Sequence, residues 1–388
     1  MRIGLITGEY PPMQGGVGDF TAQLGQALVD LGHKVHVLTG APRAARHAPR
    51  NTQHVPLTVH QAIEDWGWGC WSHVLALAQE LGLEVLNVQY QAAAYGMHPA
   101  INFVPRRRRR GRPPVVVTFH DLKVPYLFPK AGPLRWLVVR MLARRADGVI
   151  VTNQGDYRRL EAQIPSDLLR LIPIGSNIPL APPPKYDRDI ERARWGGGDD
   201  GLLLGYFGFL NRSKGCEELI QALALLVERG LPVHLLMIGG RVGSSDPTNR
   251  AYAEQVERMI AELRLGERIH WTGYSRPEEV SAGLLATDMC VLPYQDGVSF
   301  RRGTLHACLV HGRAVVTTRP AVALPEARDG ENMLLVNPRD PEGLAEAVMR
   351  LAADVTLRAR LEAGAVALAA EFAWERIARH TAALFGGL

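Results

Sequence analysis

Leu202-Leu-Leu-Gly-Tyr-Phe-Gly-Phe-Leu-Asn-Arg-Ser-Lys-Gly-Cys-Glu-Glu-Leu219 decides how this chain is read. The apolar run Leu202 to Phe207 reads as a buried strand that breaks at Gly208. The chain then passes Arg212 and Lys214, breaks again at Gly215 and continues as an amphipathic helix from Glu217 to Glu228. Strand, tight loop and helix start offer free backbone N–H groups and the positive end of a dipole to an anion. Two cations ahead of that helix make a phosphate group the expected anion; the alternative is a plain βα turn with two solvated charges.

Outward from this stretch, strand and helix alternate in both directions. Upstream, strands are expected at Arg2 to Thr7, His33 to Leu38, Glu84 to Gln89, Val115 to Phe119, Gly148 to Thr152 and Leu169 to Ile174. Helices fall between them, with a Pro/Arg/His-rich loop after Gly40 and a helix near His98 to Val104. Downstream, strands Val233 to Ile238, Arg268 to Thr272, Met289 to Leu292 and Ala314 to Thr318 repeat the pattern. Such alternation means an α/β fold of parallel sheets with helices on both faces. With 388 residues, two domains are the default. The division is placed at 1–178, a connector at 179–200 carrying Pro179-Leu-Ala-Pro-Pro-Pro184, and 201–370, with a closing helix in 371–388.

Composition narrows the class. Four scattered Cys (Cys70, Cys216, Cys290, Cys308) with no CxxC, and 13 His with no HExxH, indicate neither a disulfide framework nor a protein metal site. No apolar stretch has the length of a membrane span, and Met1-Arg-Ile-Gly opens on a strand, so a cytoplasmic protein is expected. Residues 1–178 hold 20 Lys/Arg against 12 Asp/Glu, and the remainder 24 against 27. That basic first half calls for an anionic partner. Arg106 to Arg110 carries no nucleic-acid-binding module, so no nucleic acid is expected. It is a solvated charge block or, with Trp136, Leu137 and the arginines around them, a patch for an anionic membrane surface.

Three further stretches carry candidate chemistry. Gly15-Gly-Val-Gly-Asp19 lacks the third glycine of a dinucleotide fingerprint, and the next strand ends in Leu38-Thr-Gly40 without an acid, so nicotinamide binding is poorly supported. Gly15 and Gly16 still permit close backbone approach to a ligand, and Asp19 either complements the helix dipole or holds a sugar hydroxyl. His120 ends a buried strand, where a ligand-facing side chain belongs. Asp296-Gly-Val-Ser-Phe-Arg-Arg-Gly-Thr304 combines two arginines with a helix start, a second phosphate-type nest.

Taken together, Gly15-Gly16-Val17, His120-Asp121, Gly208…Arg212-x-Lys214-Gly215, Leu292-Pro-Tyr…Gly312-Arg-Ala-Val-Val316 and Pro325-Glu326…Asp329-Gly330 resemble the family 4 glycosyltransferases of the GT-B fold. The resemblance implies two facing doubly wound Rossmann-like domains with an interdomain cleft, and a last helix that crosses back to the first domain. It implies transfer of a hexose-type sugar from a nucleotide-diphosphate sugar to a glycan, lipid-linked or small-molecule acceptor, with retention and without a protein-bound metal or other cofactor. Arg212 and Lys214 would stabilise the leaving diphosphate and His120 would contact the donor sugar. Gly15, Gly16, Gly208, Gly239, Tyr274, Ser299, Arg302, Gly303, Thr304 and Glu326 would line the donor site. Asp19, Tyr95 and His98 would face the acceptor. The family's Glu-x7-Glu is replaced by Ser299 and Ala307. That departure feeds one alternative, a non-catalytic sugar-nucleotide-binding protein; a second, a GT-B sugar-nucleotide epimerase, would need extra carboxylates beside the sugar.

Overall fold

The structure is a computed structural model that describes residues 1–13, 15–40, 53–54, 57–105, 112–124, 134–198, 201–241 and 247–388. The Arg106 to Arg110 run lies outside the described residues. Two compact units form, one of Met1–Asn177 with Ala373–Leu388 and the other of Ile178–Phe372.

The first unit is built on β1 (Arg2–Ile6), α1 (Gly16–Asp30), β2 (Lys34–Gly40), β3 (Gln53–His54), β4 (Leu57–Ile63), α2 (Cys70–Glu80), β5 (Val85–Tyr90), β6 (Val115–Phe119), α3 (Leu134–Arg145), β7 (Gly148–Val151), α4 (Gln154–Leu160) and β8 (Leu169–Leu171). Its sheet runs β3-β4-β2-β1-β5-β6-β7-β8 and is parallel except at β3–β4. Every residue of β5, β6 and β7 is buried, as central strands covered on both faces must be. Helix α1 buries Val17, Phe20, Thr21, Leu24 and Leu28, the three-and-four spacing of one helical face. Strands β3 and β4 correct the loop expected after Gly40: β4 pairs with β2 from Val35↔Leu57 onward. The helix expected near His98 is a single 3-10 turn, Pro99–Asn102.

The second unit comprises α5 (Arg188–Arg194), β9 (Leu202–Phe207), α6 (Cys216–Glu228), β10 (Val233–Ile238), α7 (Pro247–Glu262), β11 (Ile269–Gly273), α8 (Pro277–Ala286), β12 (Met289–Leu292), α9 (Gly303–Val310), β13 (Ala314–Thr318), β14 (Leu334–Val336), α10 (Pro341–Ala353) and α11 (Val355–Ala370). Its strands run β11-β10-β9-β12-β13-β14, all parallel. The order reverses between β9 and β12, and between β1 and β5 in the first unit. Loops leaving the carboxyl ends of strands at such a reversal are where doubly wound sheets take ligands.

The stretch 179–200, read from sequence as a connector, belongs to the second unit. Asp187 caps α5 through Asp189 N–H and Ile190 N–H, and Arg188 and Arg192 pair with Asp288 at 3.3 and 2.8 Å. The other Asp288 oxygen accepts from Leu203 N–H at 2.8 Å, so one carboxylate ties α5 to β9. Replacing Asp288 by Ala removes the ion-pair partner of two guanidinium groups, which keep bonds to backbone carbonyls, and the acceptor of the Leu203 amide; it is expected to cost about 2 kcal/mol in urea unfolding. The last helix, α12 (Trp374–Gly386), packs on α1, and Trp374 Nε1–H donates to Ser176 O at 2.7 Å within the first unit.

Candidate functional site

In the second unit the two stretches singled out by sequence leave the adjacent strands β9 and β12 and are stitched to each other. Gln295 N–H donates to Ser213 O at 2.9 Å, and the Gln295 side-chain amide donates to Glu218 at 2.8 Å. Asn211 caps the single turn Arg212–Lys214 by accepting from Ser213 N–H at 2.9 Å. Gly208 sits at φ +126°, and a Cβ there would fall 2.5 Å from Lys214 Nζ and 2.9 Å from Thr304 Cγ2. The Lys214 ammonium and the first turn of α9 therefore converge on the bare backbone of Gly208.

Around this point the electrostatics are positive. No carboxylate among the described residues forms an ion pair with Lys214. Burial first, then the Arg302 guanidinium, lower the Lys214 pKa from 10.5 to about 8. Arg302 lies 4.2 Å over the Tyr294 ring and pairs with Asp296, while Tyr294 and Thr304 share a 2.8 Å hydroxyl–hydroxyl bond. No side chain caps the start of α9, so the first amides of that helix have no side-chain acceptor. A cationic group, a stacked guanidinium, a hydroxyl and a helix start are the kinds of group that bind oxyanions.

Arg302→Ala should weaken diphosphate binding roughly tenfold by titration calorimetry. It should also let the Lys214 pKa rise, because the neighbouring charge that depresses it is gone.

Of the other second-unit candidates, Gly239 backs onto Gly208, a Cβ there falling 3.9 Å from Gly208 N. The Arg212 guanidinium lies against α7, 5.5 Å over the Tyr252 ring, and bonds Gln255 Oε1 at 3.2 Å. Ser299 shapes the turn before α9, its Oγ accepting from Arg301 N–H at 3.3 Å. Ala307 is fully buried on α9. Gly239 has φ +106° and donates its N–H to Thr272 Oγ1 at 3.0 Å. Tyr274 is 72% exposed just beyond β11, and Glu326 is exposed between β13 and β14.

In the first unit, the start of α1 already holds an anion from its own chain. Glu9 Oε1 accepts from Val17 N–H at 3.1 Å and Gly18 N–H at 3.3 Å. The Glu9 carboxylate fills the space that a side chain on Gly15 would need, whereas Gly16 opens onto free space. The Glu9 carboxylate thus takes the Val17 and Gly18 amides, one and two residues beyond the Gly15-Gly16 pair singled out in the sequence. Asp19 is exposed in the first turn of α1; desolvation by its surroundings and the Glu9 charge raise its pKa to about 6.

Tyr95 is a core residue rather than an acceptor contact: it is 1% exposed, its hydroxyl lying 3.0 Å from both Ile6 O and Gln89 O. His98 caps the turn Pro99–Asn102, Nδ1 accepting from Ala100 N–H at 3.1 Å. His120 directly follows β6, half-buried, with its ring edge-on to Phe20 at 4.6 Å. Burial pushes its pKa down to about 3, so the imidazole is neutral.

Sequence reasoning passed over Tyr294, Tyr252, Glu9 and Gln89. The Leu292-Pro-Tyr294 run at a strand end was the available signal for Tyr294. Nothing local marks Glu9, whose partners lie eight and nine residues away.

Comparison with known proteins agrees with this architecture. Two curated relatives are D-inositol 3-phosphate glycosyltransferases. That of Corynebacterium efficiens is 30% identical over 293 residues, 71% of this chain and 66% of the relative. That of Corynebacterium urealyticum is 28% identical over 260 residues, 66% of this chain and 60% of the relative. The chain thus spans about half to 60% of the length of the first such relatives. Among solved structures, Anabaena HepE in complex with UDP and glucose superposes with TM-score 0.74 at 22% identity over all of both chains. Sucrose-phosphate synthase from Thermosynechococcus elongatus gives 0.73 at 23% identity, covering 100% of this chain and 98% of that one. A family model described as Glycosyltransferase Family 4 matches residues 14–178, and one described as Glycosyl transferases group 1 matches residues 201–354. With one matched model on each of its two parallel-sheet units, the chain belongs to the family 4 glycosyltransferases of the GT-B fold.

Proposed function

We propose that this protein transfers a hexose-type sugar, with retention, from a nucleotide-diphosphate sugar to a glycan, lipid-linked or small-molecule hydroxyl. The observation that carries this reading is the convergence of Lys214, Thr304 and the start of α9 on Gly208, with Arg302 beside them, at the strand-order reversal of the second sheet. A diphosphate held there leaves with its charge neutralised by Lys214 and Arg302, which is the stabilisation a departing nucleotide needs. His120 supplies a neutral imidazole to a sugar hydroxyl. Gly239 and Tyr274 flank the base, and Asp19 lies on the acceptor side.

The HepE complex with UDP and glucose supports a uridine donor as the first to test. The curated relatives' names describe a phosphorylated acceptor. In this chain Glu9 occupies the α1 amides, so an uncharged acceptor hydroxyl is favoured at that turn. The experiment is a thermal-shift panel of UDP-, GDP- and ADP-glucose followed by product analysis. One base should raise Tm by several degrees, since a ligand bound only to the native state stabilises it by mass action. A panel in which none does overturns the donor reading.

A peripheral membrane partner is a separate proposal. It rests on α3, where a cavity of about 660 Å³ is lined by Leu137, Arg140, Met141, Arg144 and Arg145, and Leu137 is 51% exposed. Sedimentation with anionic but not neutral vesicles tests it.

A further inference from the structure

A ladder of buried amides lies beneath His120 in the first unit. Asn87 and Gln89 alternate on one face of β5, and Thr118 pairs across from Gln89 on β6. All three are at most 1% exposed, which is unusual for polar side chains on central strands unless every group is paired.

The bonding direction along this ladder follows from its lower end. Val116 O can only accept, so the Asn87 side chain turns its NH2 toward it (3.4 Å) and toward Thr118 Oγ1 (3.0 Å). That leaves Asn87 Oδ1 as the acceptor for the Gln89 NH2, a short contact between the two amides. The Gln89 Oε1 is then necessarily the atom facing His120 Nε2, at 3.0 Å. A carbonyl oxygen has no hydrogen to give, so the proton of that bond sits on Nε2. Among the described residues, no hydrogen-bond partner reaches Nδ1.

We infer that Gln89 is the positioning residue that fixes the tautomer of His120, keeping the proton on Nε2 and presenting Nδ1 as an acceptor for a hydroxyl of the bound sugar. The inference rests on the proposed transfer only for the identity of the hydroxyl; the tautomer itself stands on the ladder. Burial keeps the ring neutral, so Nδ1 retains its lone pair across the physiological range. The Phe20 ring, itself packed against Trp374 at 5.1 Å, closes one side of the imidazole.

Nitrogen-15 NMR of the full chain, with the His120 signals assigned by their loss in His120→Asn, reads the tautomer without substrate. The expected result is a protonated Nε2 and a bare Nδ1 from about pH 5 to pH 8. Gln89→Leu removes the acceptor and should mix the tautomers. It should lower kcat/KM roughly tenfold or more while leaving the affinity for free nucleoside diphosphate, bound by the second unit, unchanged.

Gln89→Glu places a carboxylate on Nε2–H and favours the imidazolium, so turnover should appear only as pH rises, a limb absent from the parent protein. The nearby titratable groups are Asp121, bonded by Gln91 and Lys123, and Asp19 and Glu9 at the start of α1. They are common to both proteins, so the difference between the profiles isolates residue 89. A proton on Nδ1 in the parent protein overturns the inference, as does Gln89→Leu with an unchanged tautomer and unchanged turnover. If Gln89→Leu fails to fold, the parent spectrum decides. A correct tautomer in a protein that transfers no sugar would count against the proposed function and leave the ladder standing.

Discussion

Lys214→Ala is expected to lower kcat roughly 10²–10³-fold, the scale on which one preorganised donor to a developing charge acts. Folding should be little affected or improved, because the ammonium is held against burial and a neighbouring guanidinium. Wild-type pH behaviour separates this role from a purely structural one. The unliganded pKa is about 8, so a diphosphate meets a charged ammonium below that pH and a neutral amine above it. Affinity for a sugar nucleotide, whose esterified phosphates do not titrate near neutrality, should be flat below pH 8 and fall above it by up to tenfold per unit, with proton uptake on binding. The effect on stability has the opposite sign. A lysine whose folded pKa is depressed binds fewer protons than in the unfolded chain between about 8 and 10.5, so its penalty on folding shrinks as pH rises through that window. Calorimetry in buffers of different ionisation enthalpy, with and without Lys214→Ala, measures both.

Gly215→Ala is expected to be the most destabilising single substitution in the donor loop, at roughly 3–5 kcal/mol by urea unfolding. Two causes add. The residue has φ +70°, a left-handed conformation that a side chain disfavours. A Cβ there would also run into Pro293 O, a backbone atom that cannot rotate away. Gly215 is where the loop after β9 presses on the loop after β12 and where α6 begins, so the same change separates Ser213 O from Gln295 N–H. Activity should fall with stability. Gly208→Ala differs, because its nearest obstacles are the movable end of Lys214 and a Thr304 methyl. Its φ of +126° still strains an alanine, so Gly208→Ala should weaken folding, though less than Gly215→Ala, as well as donor binding.

These two positions show what could be read in advance. Gly208, Lys214, Gly215 and the Arg302 to Thr304 helix start were visible because each breaks or follows a strongly apolar strand, where local sequence dictates backbone. The parallel sheets were visible for the same reason. Helix α5 was not, since it buries none of its residues and is held by Asp187 and by Arg–Asp288 pairs that carry no periodic signal. Strand β4 follows a Pro/Arg/His-rich stretch and pairs only through contacts with β2 made in the folded unit. Tyr95 was expected to face the acceptor from the loop after β5, yet its hydroxyl finds two carbonyls inside the core. The Glu9 carboxylate on α1 and the Gln89 ladder depend on which groups the tertiary fold brings together. Short-range spacing is silent on both.

A crystal structure of the full chain with bound UDP tests the central claim most directly. The account predicts diphosphate oxygens about 2.7–3.1 Å from Lys214 Nζ and from the Gly303 or Thr304 amide, with Arg302 still stacked on Tyr294. A diphosphate bound elsewhere, with Lys214 Nζ and the α9 amides left untouched, would contradict it.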